Sequence, residues 1–195
     1  MTQEATYSPA AEHPPHWRYL APLRTLVSAA VTITLRARAH IATPARERLV
    51  SGRAILTSNH VSLLDGVLLV LVSPTPLAVG VDTDWSVKSA WAARGMGLLC
   101  WLGYGWVVPL DSTTPQGLRK LARHLNAGRS VLIFPEGGIR PDGSPQPEKP
   151  GVVWLAARTG AQVVAAQIEG AARSRIFAKA GDHWWPRIRI TMAAG

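Results

Sequence analysis

Short apolar runs bounded by polar, glycine- and proline-bearing stretches recur along the chain from about Arg53, and they predict alternating strands and helices. Arg53 to Ser58 reads as a short strand, and Leu63 to Val72 as an apolar helix with Ser62 as its N-cap. Leu77 to Val81, Trp106 to Leu110, Val131 to Phe134, Val163 to Ile168 and Arg187 to Thr191 are further strand candidates. Trp85 to Arg94 and Thr114 to Asn126 fit helices, the second closed by Gly128. Val131-Leu132-Ile133-Phe134 is apolar throughout and is stopped by Pro135, as expected of a strand buried on both faces of a parallel sheet. Arg187 to Thr191 alternates charge with apolar residues, which suggests an edge strand. The expected fold class is α/β: a mixed, largely parallel sheet flanked by helices, with an N-terminal amphipathic helix.

Residues 1–15 are polar and rich in proline, without the basic start and small-residue cleavage pattern of a secretory signal, and are expected to form a mobile tail. Residues 16–42 place Tyr19, Leu20, Leu23, Leu26, Val27, Val31, Ile33 and Leu35 among Arg18, Arg24, Arg36 and Arg38. The apolar stretch from Leu26 to Leu35 is well short of the roughly 20 residues that a spanning helix needs. A helix lying at a membrane interface, or one packing on the domain, fits better, and Pro44 is expected to end it. The remainder, residues 16–195, reads as one domain that stops shortly after the last expected strand.

At 195 residues and 47% hydrophobic composition, the chain is long enough for a sizeable core. The lone Cys100 excludes an intrachain disulfide and suits a reducing compartment; its setting among Leu98, Leu99, Trp101 and Leu102 fits a buried structural thiol. A formal charge of +9, from 21 Lys and Arg against 12 Asp and Glu, favours anionic partners such as membrane lipid or an acidic carrier protein. The basic residues are scattered and no nucleic-acid motif accompanies them, so nucleic acid is not an expected partner. Eight tryptophans suit a protein working at a lipid interface, where indole sits at headgroup level, though core packing explains any one of them.

Two segments carry candidate chemistry. In Asn59-His60-Val61-Ser62-Leu63-Leu64-Asp65, an imidazole precedes a carboxylate by five positions, which places them about 140° apart on an ideal helix. Their contact needs a turn, and the expected strand-to-helix junction supplies one at the carboxyl edge of the sheet, where α/β proteins bind ligands. An aspartate that accepts from one ring nitrogen fixes the tautomer and frees the other as a general base; in isolation, the same spacing also serves simply to close a turn. Phe134-Pro135-Glu136-Gly137-Gly138 puts a carboxylate and two glycines at the end of another strand. The glycines let the backbone approach a ligand and present amide hydrogens to an anion, and Arg140 is a candidate phosphate clamp.

Taken in order and separation, Asn59-His60 to Asp65, Lys88-Ser89-Ala90-Trp91 and Phe134-Pro135-Glu136-Gly137 resemble the motifs of the glycerolipid acyltransferases typified by 1-acyl-glycerol-3-phosphate acyltransferase. The likeness runs from about Arg53 to Gly170, and includes Lys149-Pro150-Gly151 before an expected helix to Thr159. The resemblance implies that His60, oriented by Asp65, deprotonates an acceptor hydroxyl that attacks an acyl thioester directly, with no acyl-enzyme. It further implies that Glu136 binds and orients a lysolipid acceptor, that Gly137 and Gly138 shape its site, and that Lys88 and Arg140 balance a phosphate. No metal or cofactor is implied; the donor is acyl-CoA or acyl carrier protein, and the setting is the cytoplasmic face of the cell membrane, as a peripheral protein in phospholipid biosynthesis. Three positions depart from the family pattern. Ser112 follows Val107-Val108-Pro109-Leu110-Asp111 where the family carries an arginine for the acceptor phosphate, the basic residue after the glutamate motif is displaced by one position to Arg140, and Ala165 stands in place of a proline. These departures open the acceptor to another lysolipid or a lipid-like alcohol.

Two other classes of function compete. One is a non-catalytic, membrane-associated lipid-binding module that retains the fold: the missing arginine at Ser112 favours it, and the intact His60, Asp65 and Glu136 oppose it. The other is a hydrolase with Ser58 or Ser62 as nucleophile, which is disfavoured because neither serine lies in a G-x-S-x-G turn.

Overall fold

The computed structural model describes residues 14–82, 90–110, 115–137, 150–178 and 181–195. Among these, seven strands form one sheet: β1 (Ala37–Ile41), β2 (Ala54–Ser58), β3 (Leu77–Asp82), β4 (Gly105–Leu110), β5 (Ser130–Ile133), β6 (Gln162–Glu169) and β7 (Ile188–Ala194). Their order is β1-β7-β6-β2-β5-β3-β4, and only the β6–β7 pair is antiparallel. The helices are α1 (His16–Tyr19), α2 (Ala21–Thr34), α3 (Thr43–Ser51), α4 (Asp65–Val72), α5 (Ala90–Leu102), α6 (Gln116–Asn126) and α7 (Gly151–Thr159). The expected α/β class with a mixed, largely parallel sheet is what the chain forms.

The central strands read as continuous apolar runs because both of their faces are covered. Leu56, Leu132, Leu77 and Val79 pack with α3 and α4, whereas their neighbours Ile55, Val131, Ile133 and Ala78 pack with Leu121 and Leu125 of α6 and Leu155 of α7. This alternation between two clusters is the period-two geometry of a strand set between two helical layers.

Beyond β6 the sheet is covered on one face only. Along β7, Ile188, Ile190 and Met192 are buried while Arg189 and Thr191 are exposed. The expectation of an edge strand there is corrected: β7 lies between β1 and β6, and its alternating charge marks an uncovered face.

The N-terminal segment also departs from expectation. The helical region does not extend to residue 42: α2 ends at Thr34, Arg36 takes a left-handed φ of 51°, and Ala37–Ile41 pair in parallel with β7 from Ala37↔Ile188 to Ile41↔Met192. A rung made to a strand 150 residues away leaves no local pattern, so the apolar residues of this segment look helical throughout. Pro44 opens α3 instead of closing a helix, since a missing N–H costs nothing in a first turn. Helix α2 is apolar on two sides: Val27, Val31 and Leu35 pack on the core, while Leu23, Leu26, Ala30 and Ile33 form an exposed stripe at helical spacing. It is tied down by Arg24 Nη1 donating to the Gly103 carbonyl at 2.8 Å, Ser28 Oγ donating to the Leu71 carbonyl at 2.9 Å, and the Tyr104 hydroxyl donating to the Arg24 carbonyl at 2.6 Å. The expected tail, residues 1–15, lies almost wholly outside the described residues.

Candidate active site

Strand register assembles the site. In the β2–β5 pair, Ile55 faces Val131, Leu56 faces Leu132 and Thr57 faces Ile133, so the residues that follow, up to His60 and Glu136, leave the sheet side by side. The backbone N–H of His60 donates to Glu136 Oε1 at 3.2 Å, which continues that pairing through a side chain after the ladder has ended. On the other flank of β2, the Asn59 amide donates to the Ile168 carbonyl at 3.0 Å and accepts from the Ile168 N–H at 2.8 Å. One side chain thus replaces a full backbone rung and holds the end of β6 against the same turn.

Between β2 and α4 the chain turns around Asp65, which is fully buried. Its Oδ2 lies 3.1 Å from His60 Nδ1 and accepts the N–H groups of Val61 at 2.6 Å and Ser62 at 2.7 Å, while Oδ1 accepts the Ser62 hydroxyl at 2.6 Å. A buried carboxylate needs such partners, and with two backbone donors on Oδ2 the ring contact is satisfied best by an Nδ1–H donor. That tautomer leaves Nε2 with its lone pair, and no described residue bonds Nε2. The imidazole stacks on the Phe134 ring, 4.2 Å between centroids and 19° between planes, which fixes its tilt. Gly66, at the start of α4, faces the same Phe134 ring.

The helix begins at Asp65, not at Leu63, and Ser62 is not its N-cap. The serine hydroxyl is instead committed to Asp65 and also accepts from the Leu64 N–H at 3.3 Å. This bonding, with Ser62 fully buried, leaves no free nucleophile there. Glu136 follows Pro135 in a turn closed by the Gly137 N–H donating to the Phe134 carbonyl at 3.1 Å, with Gly137 at φ 73°, a conformation that favours glycine.

Of the residues singled out from sequence, the fold brings His60, Asp65, Glu136 and Gly137 together. Lys88, Ser112, Gly138 and Arg140 lie outside the described residues. Three supporting roles were not legible in the sequence: the Asn59 clamp, the Ser62 bond to Asp65 and the Phe134 platform. Only the adjacency of all three to the two motifs offered a signal. Among the described residues, no group of three His, Cys, Asp or Glu is placed to hold a metal ion.

Behind the turn, an apolar cavity is lined by Gly66, Val70, Val79, Met96, Leu99 and Cys100. Burial pushes the Cys100 thiol up from its ordinary value, a shift partly opposed by a hydrogen bond with the Val107 backbone, so at neutral pH it is an apolar wall element and not a thiolate. The buried structural thiol expected from sequence is half-buried and faces a cavity.

A family model described as Acyltransferase matches residues 35–169, a span that holds His60, Asp65 and Glu136 and begins just after α2. Among solved structures, the fold is similar to that of the 1-acyl-sn-glycerophosphate (LPA) acyltransferase PlsC from Thermotoga maritima. The TM-score is 0.62 at 18% identity, over 95% of this chain and 73% of that one. At that identity the likeness is one of fold.

Proposed function

This chain belongs to the acyltransferase family, and from that membership we propose that it moves a fatty acyl group from acyl-CoA or acyl carrier protein to the hydroxyl of a lysolipid such as 1-acyl-glycerol-3-phosphate. The observation that carries the reading is the His60–Asp65 pair: Nδ1 is committed to a buried carboxylate, and Nε2 is left for the acceptor.

His60 Nε2 takes the proton of the acceptor hydroxyl as its oxygen attacks the thioester carbonyl, since an alkoxide is too basic to form unaided at neutral pH. The tetrahedral adduct collapses, the carbon–sulfur bond breaks, and the imidazolium returns its proton to the leaving thiolate. Asp65 holds the ring and stabilises the imidazolium while it exists. Glu136 holds the backbone of His60 and borders the acceptor site together with Gly137; Gly138, Lys88 and Arg140, outside the described residues, take their roles here from the family likeness alone, Gly138 shaping that site and Lys88 and Arg140 balancing an acceptor phosphate. No metal or cofactor is needed, because a thioester is already activated toward attack.

The substrates are amphiphiles, and the protein meets them as a peripheral protein at the cytoplasmic face of the membrane, in phospholipid biosynthesis. The exposed stripe Leu23, Leu26, Ala30 and Ile33 on α2 and the +9 formal charge support this placement. No helix among the described residues is long and apolar enough to cross a membrane.

The test is acyl transfer from labelled acyl-CoA and acyl carrier protein to a panel of lysolipids, with His60→Ala as the control. An ester product that falls by about 10²-fold or more in His60→Ala is the expected result. Transfer at the wild-type rate in a folded His60→Ala protein would overturn the mechanism. No product from any donor and acceptor pair would favour a lipid-binding module that lacks catalysis.

A further inference from the structure

Between β6 and β7, the residues around Phe177 lie against the turn that carries His60 and Asp65. The Leu63 N–H donates to the Phe177 carbonyl at 2.9 Å, and the Trp185 indole N–H donates to the Thr34 carbonyl at the end of α2. Leu35, Leu64, Phe177, Trp184, Trp185 and Pro186 line one shallow depression there. Around it, large apolar side chains point outward: Trp184 is 67% exposed, Ile33 76%, Ile176 46% and Leu63 45%. Burial does not explain two adjacent tryptophans left in water, and Leu63 stands within the His60–Asp65 turn itself.

The charges bordering this patch are mostly of one sign. Arg36, Arg173, Arg175 and Arg187 are all exposed, with Arg175 stacked over the Trp184 ring at 5.7 Å. Against them stands one described carboxylate, Asp182, which is paired with His183 at 2.7 Å and Arg173 at 3.4 Å and is held down to about 2 by those two partners. Indole side chains ringed by arginine are the side-chain set that partitions into the headgroup layer of an anionic bilayer.

We propose that Trp184, Trp185, Ile176 and Leu63 form a second membrane contact, selective for anionic lipid, that sets the mouth of the His60–Asp65 turn against the headgroup layer. The proposal deepens the acyltransferase reading, since it names the surface through which that site receives its lipid. Contact through α2 alone leaves the protein free to roll about the helix axis; a second contact beyond the end of α2 removes that freedom. An acceptor hydroxyl at headgroup depth then reaches His60 without its acyl chain crossing water, the transfer that costs most.

The test uses the full chain and vesicles of phosphatidylcholine with and without phosphatidylglycerol, read by flotation. Three variants are compared with the wild type: Trp184→Ser; Arg175→Glu; and, as a control, Val153→Ser, which removes an apolar side chain of similar exposure from α7, away from this patch. The wild-type chain is expected to float with phosphatidylglycerol vesicles, and Trp184→Ser to lose about tenfold or more in partition. Arg175→Glu should lose the preference for phosphatidylglycerol, and Val153→Ser should match the wild type. The surface is overturned if the wild-type chain does not float, if Trp184→Ser floats as well as the wild type, or if Val153→Ser falls equally. It is also overturned if Trp184→Ser only dissolves a dimer in light scattering while partition holds. Transfer to a monomeric short-chain lysolipid, read on the same samples, separates the two claims. Unchanged transfer by Trp184→Ser supports a docking role, whereas flotation that depends on Trp184 in a chain without transfer overturns the enzymatic reading and leaves the surface standing.

Discussion

Asp65 Oδ2 accepts from two backbone N–H groups and the imidazole, while among the described residues Oδ1 accepts from Ser62 alone, and this asymmetry predicts how substitutions divide. In Asp65→Asn the amide oxygen must take the Oδ2 position, because the three donors there reject an NH₂. The amide nitrogen then faces Ser62 Oγ, which can accept. The turn survives, but the imidazolium loses its counter-charge. We expect kcat to fall by about 10²-fold or more with thermal stability little changed. Ser62→Ala leaves the charge and removes two hydrogen bonds, the one donated to Asp65 and the one accepted from the Leu64 N–H, at a cost of about 1–2 kcal/mol in stability, with kcat kept within about tenfold. Equal kcat losses in the two variants, measured alongside melting curves, would reject this division of roles. The His60–Asp65 pairing was legible because a five-residue turn is local. The part Ser62 plays was not, since a serine ahead of an apolar run reads equally well as a cap.

Helix α6 shows what a local pattern reveals and what it leaves to packing. Leu121, Ala122 and Leu125 are buried while Arg119, Lys120 and Arg123 are exposed, as its periodicity predicts. His124, on the flank, packs against the Trp106 ring at 5.5 Å, with the Arg129 guanidinium 4.4 Å from the same ring. Burial first, and then the Arg129 charge, pushes the His124 imidazole below its ordinary value of 6.5. The unfolded chain therefore binds a proton that the folded one refuses, so stability falls as pH drops through about 6.5 toward the lower folded value. Melting curves between pH 7.5 and 5.5 should show wild type losing stability more steeply than His124→Gln; parallel losses would mean that other groups carry the pH dependence. The same contrast applies to the N-terminal region, where α2 was legible from its period but β1 was not, because its partner is β7.

At the scale of the molecule, β2 and β5 at the centre of the sheet carry the two halves of the site, and Leu132 joins them to the core with no exposure to water. Leu132→Ala should destabilise the fold by about 2–5 kcal/mol, seen as a lower urea midpoint at an unchanged m-value. Val153→Ala, on the surface of α7, should stay within about 0.5 kcal/mol of wild type. A fall in m-value would instead mean that the β1–β7–β6 part of the sheet unfolds separately from the rest. The sequence by itself determined the α/β alternation, the buried central strands and the residues of the two motifs, because period, turn chemistry and residue type act over a few positions. The tertiary structure decided which strands are neighbours. The register of β2 against β5 places Glu136 on the backbone of His60, β7 takes β1 beside it and so ceases to be an edge, and Trp184 and Trp185 come to rest around the same depression as Leu64. Each of these depends on contacts between segments far apart in the chain, whose choice is set by the packing of the whole sheet and not by the residues near any one of them.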